Sequence, residues 1–110
     1  MKEIHYNKLV RDKIPTIIEN QGDTAITRIL DDVEYLTYLK KKLQEEVDEY
    51  LQDNNINEIC DILEVIQAIL KVSNVSEQEI ERLKHDKARK NGTFENKILL
   101  EKVIRENETQ

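Results

Sequence analysis

Two glycines and one proline in 110 residues leave little from which to build tight turns. That scarcity argues against a turn-rich sandwich or barrel and favours long helices. The one cysteine, Cys60, has no partner for an internal disulfide, which suits a reducing cytoplasm. No apolar run approaches the ~20 residues of a membrane span, and the first residues lack a signal-peptide core. A basic surplus is missing too: 17 Lys and Arg stand against 23 Asp and Glu, for a net charge of −6. General nucleic-acid binding usually needs a basic face, so neither DNA nor RNA is expected as a partner. What remains is one expected domain, 1–110, in which 38% apolar residues must cover a small core beside 36% charged ones.

The charge is segregated. Residues 31–64 hold eleven carboxylates against three lysines, a net of −8. Residues 1–13 net +2, and residues 82–97 net +4. Two readings fit an acidic middle between basic flanks. The flanks neutralise the middle within the fold, or the acidic residues hold a divalent cation while the basic ones hold an anion bound to it.

Apolar spacing predicts a mostly α fold. Leu9, Val10, Ile14, Ile17 and Ile18 are helix-compatible, with a break or a start at Pro15. Gln21-Gly22-Asp23 reads as a turn, and Thr24–Leu30 as a short strand. Asp31 or Asp32 can cap a helix over 33–52, whose stripe is Leu36, Leu39, Leu43, Val47 and Tyr50. Asp53-Asn54-Asn55 ends it. The next helix, 56–72, has the widest apolar face and is expected to be the most buried. Ser73-Asn74 breaks it, and Ser76-Glu77-Gln78-Glu79 matches a capping box for a third long helix over 77–90, with Ile80 and Leu83 inward. Asn91-Gly92 is a stop signal, Ile98-Leu99-Leu100 a second candidate strand, and the polar tail after Arg105 is expected to fray.

The two middle helices carry the residues with chemistry. Glu45-Glu46-Val47-Asp48-Glu49 is an E-E-x-x-E pattern, and Glu58-Ile59-Cys60-Asp61 is E-x-x-D. Residues three apart share a helix face, so each pattern can aim two carboxylates at one spot. An antiparallel hairpin through 53–55 brings the two spots together. Four converging carboxylates repel unless a cation sits among them, and oxygen-only ligands suit Mg2+ or Mn2+ rather than Zn2+. Glu46 falls ~20° from Leu39 on the helical wheel, and Glu58 falls inside the apolar arc of its own helix. A carboxylate on an apolar face is costly unless paired, protonated or metal-bound. The plainer alternatives stand beside this one. Lys42 precedes Glu46 by four residues and can pair with it. Asn55-Ile56-Asn57-Glu58 also reads as a capping box, with Glu58 reaching back to the Asn55 amide.

This order of motifs resembles the MazG-type nucleotide pyrophosphohydrolases, an all-α superfamily that includes dimeric dUTPases and phosphoribosyl-ATP pyrophosphohydrolase. The opening Tyr6-Asn7-Lys8-Leu9-Val10-Arg11-Asp12-Lys13-Ile14-Pro15 is similar to the start of a small MazG-like subgroup. Ile26-Thr27-Arg28-Ile29-Leu30 and Lys87-Ala88-Arg89-Lys90-Asn91-Gly92-Thr93-Phe94 resemble its later landmarks, so the match runs in order over residues 6–104. The resemblance implies hydrolysis of nucleoside triphosphates to monophosphate and pyrophosphate with Mg2+. It implies metal ligation by Glu46, Glu49, Glu58 and Asp61, and for Glu45 either support of those ligands or the role of base toward the attacking water. Two departures stand out. Eight residues separate Glu49 from Glu58, fewer than is common in the broader family, and Asn91 stands where glycine or a basic residue is frequent.

A triphosphate needs cationic contacts as well as metal, and Lys8, Arg11, Lys13, Lys87, Arg89 and Lys90 are candidates. Lys87, Arg89 and Lys90 also end a helix, where cations favour the macrodipole; the resemblance favours Lys87 and Lys90 as phosphate contacts. His5 and His85 lack metal-ligand spacing and read as surface residues. Cys60 reads as a small packing residue. Tyr6, Tyr35, Tyr38, Tyr50 and Phe94 can stack a base, with packing the simpler use. Three helices of these lengths leave apolar surface uncovered, so a homodimer or homotetramer completing a helical bundle is expected. The alternatives to an enzyme are a non-catalytic helical dimerisation or interaction module, and a nucleotide sensor that binds without cleaving.

Overall fold

The computed structural model describes residues 1–106. The chain divides into two compact units, Met1–Ser76 and Glu77–Gln110, taken here in turn.

The first unit contains α1 (Ile14–Asn20), α2 (Asp32–Asp53) and α3 (Asn57–Val72). Pro15 is a start rather than a break: it sits in the first turn of α1, where its missing N–H is no loss. A Schellman closure ends α1. Gly22 takes φ +93° and donates its N–H to Glu19 O, while Asp23 N–H bonds Ile18 O. Asp31 is the cap of α2, its Oδ1 accepting from Glu34 N–H at 2.8 Å. Asn54 terminates α2 in the left-handed region at φ 54°, donating its N–H to Tyr50 O. Asparagine tolerates that conformation better than other side chains do. Asn55 Oδ1 then accepts from Asn57 N–H, and α3 starts at once. The expected capping box differs here, because Asn55 is engaged in this tighter i to i+2 turn. A second Schellman closure ends α3, with Asn74 at φ 60°.

With three residues between them, α2 and α3 pack back on each other as a hairpin, and this is the main helix–helix contact of the described residues. Its centre is narrow. Leu39 and Val65 are the buried apolar side chains, and Glu46 is buried with them. The wide apolar face of α3 is covered only in part. Leu63 remains 58% exposed and Ile66 37%, because α2 covers one flank of a wide apolar arc.

No strand forms among the described residues. Residues 24–30 are irregular up to the cap of α2, with Ile26 and Ile29 on the surface, and 98–100 are irregular as well. Two short apolar stretches form ladders only when they find a strand partner or a sheet, and an isolated pair is marginal in water.

The second unit is built on α4 (Glu77–Asn91). Gly92 follows at φ +86°, its N–H bonded to Ala88 O, as the Asn91-Gly92 signal predicts. Ile80 is half-buried, whereas Leu83 lies at the surface rather than inward. The tail expected to fray is described only through Glu106; its last residues lie outside the described part. Among the described residues, no helix is long and apolar enough to cross a membrane.

Candidate metal centre

The hairpin puts the second half of α2 against the first turns of α3. Glu46 comes from the apolar edge of α2, and Glu58 and Asp61 from consecutive turns of α3. One carboxylate oxygen of each lies within 4.8 Å of those of the other two. Two expected pairs on two helices therefore yield a cluster of three. Glu49, the fourth expected ligand, lies against Glu46 on the next turn of α2 and stands outside the mutual cluster.

Glu46 is the unusual member. It is 6% exposed, and its Oε2 is buried with no hydrogen-bond partner. Its other oxygen meets Lys42 Nζ at 3.4 Å. Burial is the main force raising the Glu46 carboxyl above the ordinary glutamate range; neighbouring Glu49 adds to it and Lys42 opposes it. Glu58 is also pushed up, first by desolvation and then by Asp53, Asp61 and Glu46. Glu45 is held below the usual range, chiefly by the Lys42 hydrogen bond at 2.8 Å, with Lys8 Nζ adding to it from 3.3 Å. The ordinary alternatives for such a cluster are a solvated acidic face or full ion pairing. Neither disposes of a buried carboxylate oxygen left bare, which costs about 1–3 kcal/mol and more for a charged group.

The basic residues divide. Lys8 reaches Glu45, and Arg11 donates to Asp61 Oδ1 at 2.7 Å across 50 positions of sequence. The reading in which flank neutralises middle thus holds for the N-terminal flank in part. Lys13 is exposed at the head of α1. Lys87 and Lys90 lie exposed on the last turns of α4, in the other unit. Sequence patterning offers Lys8 and Arg11 both as phosphate contacts and as part of a neutralising flank, but does not name their carboxylate partners. It also missed the Lys42–Glu45 contact, although the i, i+3 spacing on one helix signals it. The Arg11–Asp61 pair has no local signal.

Beside the cluster is a recess of about 40 Å³ lined by Lys8, Leu9, Tyr38, Lys42 and Glu45. Lys41 Nζ lies 4.9 Å from the Tyr38 ring centroid, a cation–π distance. Phe94 is fully exposed. Cys60, expected as a packing residue, is exposed instead, because it falls on the uncovered flank of α3 between the two acidic positions. His5 lies 3.5 Å from Glu3 at the surface and His85 is exposed, in keeping with their spacing.

No family model, curated protein or solved structure matches the chain. What the geometry offers is therefore its own: three carboxylates from two helices, one of them buried with a bare oxygen, that could hold a metal ion.

Proposed function

We propose that the chain is a Mg2+-dependent nucleoside triphosphate pyrophosphohydrolase, cutting its substrate to the monophosphate and pyrophosphate. The observation that carries this reading is the buried Glu46 carboxylate, one oxygen of which has no hydrogen-bond partner, in a cluster with Glu58 and Asp61. The residues fit a Mg2+ or Mn2+ ion: Glu46, Glu58 and Asp61 would hold it, with Glu49 next to them. The MazG-like order of motifs supplies the reaction class.

When bound, the ion supplies charge neutralisation of the phosphates and activation of a water for in-line attack at the α-phosphorus. The rest falls to the chain. Glu46 presents a carboxylate that is largely withdrawn from water, on the same buried face of α2 as Leu39. Glu45, kept ionised by Lys42 and Lys8, is available as a base or as a brace. Lys8, Arg11 and Lys13 bring positive charge from the N-terminal segment, and the resemblance names Lys87 and Lys90 of α4 as further phosphate candidates.

The expected result is metal-dependent pyrophosphate release from a panel of ribo- and deoxyribonucleoside triphosphates, with a matching monophosphate and loss of both products in chelator. Release of inorganic phosphate would refute the cut at the α-phosphorus. A second reading, a non-catalytic interaction module, draws on the contacts of Lys8, Arg11 and Lys42 with the same carboxylates. It predicts no turnover and no specific Mg2+ stabilisation. A sensor would bind a triphosphate without releasing product.

The open flank of α3, with Leu63 and Ile66 on it, is the surface we assign to a second copy, giving a homodimer or homotetramer in the cytoplasm. Light scattering at micromolar concentration should give at least twice the 13.0 kDa chain mass; a monomer contradicts the assignment.

A further inference from the structure

Arg11 is the residue that the cation reading leaves with two tasks. Its guanidinium sits on Asp61 Oδ1 at 2.7 Å, on one of the three carboxylates that form the cluster. The pair spans 50 residues and fastens the N-terminal segment to α3. The same segment is fastened to α2 by Lys8 on Glu45 at 3.3 Å. Arg11 also opens α1, since its carbonyl accepts the Ile14 N–H at 3.0 Å.

A cation among Glu46, Glu58 and Asp61 lies between oxygens that are within 4.8 Å of one another. A guanidinium nitrogen 2.7 Å from an oxygen of the Asp61 carboxylate would then be a near neighbour of a double positive charge. Like charges at that range repel strongly, and the ion also draws on the carboxylate electron density that holds the arginine. The pair is not deeply seated: the Arg11 side chain is 55% exposed and that of Asp61 38%. Solvent-screened pairs of this kind are weak and readily exchanged. Lys42 differs. It is largely buried, shared between Glu45 and Glu46, and keeps Glu45 when Glu46 is taken.

Resting on the proposed cation site, we propose that Arg11 is the built-in counter-ion of the cluster: it holds Asp61 in the cation-free protein, a divalent cation competes with it for Asp61, and binding releases Arg11 while Lys8 keeps the segment on Glu45. Arg11 is thereby a positioning residue that ties the state of the N-terminal segment to occupancy of the acidic cluster. The freed guanidinium stays charged and tethered beside the ion, where the anionic part of a metal-bound ligand arrives. Cation first, anion second is the binding order this exchange imposes.

The test is Mn2+ binding, followed by calorimetry, in the full chain and in Arg11→Gln. Lys40→Gln, an exposed residue on α2, controls for the change in net charge. Arg11→Gln should bind Mn2+ about fivefold or more tightly than wild type, whereas Lys40→Gln should stay within about twofold. Equal or weaker binding by Arg11→Gln overturns the competition and makes Arg11 a brace for Asp61 instead. Failure of both proteins to bind Mn2+ removes the cation site itself, a different result from equal binding. If Arg11→Gln does not fold, the wild type decides by NMR. Saturating Mg2+ should shift the Arg11 Nε–H resonance to a fast-exchanging, solvent-like position, and a resonance unmoved by saturating Mg2+ rejects the exchange.

Discussion

In chelator, Glu46→Gln should melt at or above the wild-type temperature, and in saturating Mg2+ the order should reverse. The first half follows from the site without its ion. Wild-type Glu46 is buried, has one bare oxygen and stands among Glu49, Glu58 and Asp61. Glutamine keeps the volume and removes the charge. It forfeits the 3.4 Å contact with Lys42, but Lys42 retains Glu45 at 2.8 Å and is not stranded. The net gain is on the order of 1 kcal/mol, or ~4 °C in a domain of this size. The second half follows from linkage: an ion at a hundredfold over its Kd stabilises the wild type by ~2.7 kcal/mol, which the variant largely forgoes. Metal-dependent turnover should fall more than ~100-fold, since loss of even an outer partner of a metal ligand costs ~10–100-fold. The pH dependence has a definite sign. The folded-state Glu46 carboxyl lies above its ordinary 4.5, so the folded protein holds that proton more tightly than the unfolded one does. The stabilisation by that proton is full below the unfolded value and is lost as pH rises through the folded one. In chelator, the advantage of Glu46→Gln over wild type should therefore shrink as pH falls through the raised folded-state value toward 4.5, and level off below it. Thermal melts of both proteins, with and without Mg2+, across that range check all of this. A variant less stable than wild type in chelator would mean that Glu46 is well paired and carries no metal role.

What the sequence made legible tracks how local the cause is. The cap at Asp31, the stops at Asn54 and Gly92 and the start at Pro15 depend on neighbours within a turn, and each matches the expected position closely. The placement of Glu46 on the core side of α2 followed from its ~20° offset from Leu39, because helical phase is fixed by sequence spacing. Apart from the Lys42–Glu45 contact and the Asn55 turn, which are local, the failures are non-local. Thr24–Leu30 and Ile98–Leu100 have strand composition, but a strand needs a partner that composition does not name. The apolar arc of α3 says what that helix could bury. Its open flank at Leu63 shows what α2 is too narrow to cover. Arg11 on Asp61 is a long-range pairing between residues that each had a plausible other use, phosphate for one and metal for the other. At the cluster the spacing rule selected both helices but not the side-chain positions, which is why Glu49 was expected among the mutual neighbours and lies beside Glu46 instead.

Leu39→Ala should cost ~2–5 kcal/mol, a large part of the ~5–15 kcal/mol available to a small domain. Leu39 is 2% exposed, and the other buried apolar side chain, Val65 at 8%, stands on the facing helix. With so few side chains in the centre of the hairpin, little is left to collapse into the space of three lost carbon atoms, so the cost belongs at the upper end. Leu63→Ala is the informative comparison. At 58% exposure its loss in an isolated chain should fall within about 0.5 kcal/mol, whereas in a dimer that covers α3 it should cost more and the cost should depend on protein concentration. Urea unfolding of both variants at two protein concentrations separates these cases. The effect of Leu39→Ala should also reach the acidic cluster. Glu46 lies two turns further along the same face of α2, and the approach of Glu58 and Asp61 depends on how closely α3 lies against that face. A loosened hairpin spreads the three carboxylates and weakens cation binding in the fraction that remains folded. Leu39→Ala that unfolds with wild-type midpoint would place the centre of the first unit elsewhere, and the seating of Glu46 would then need another cause.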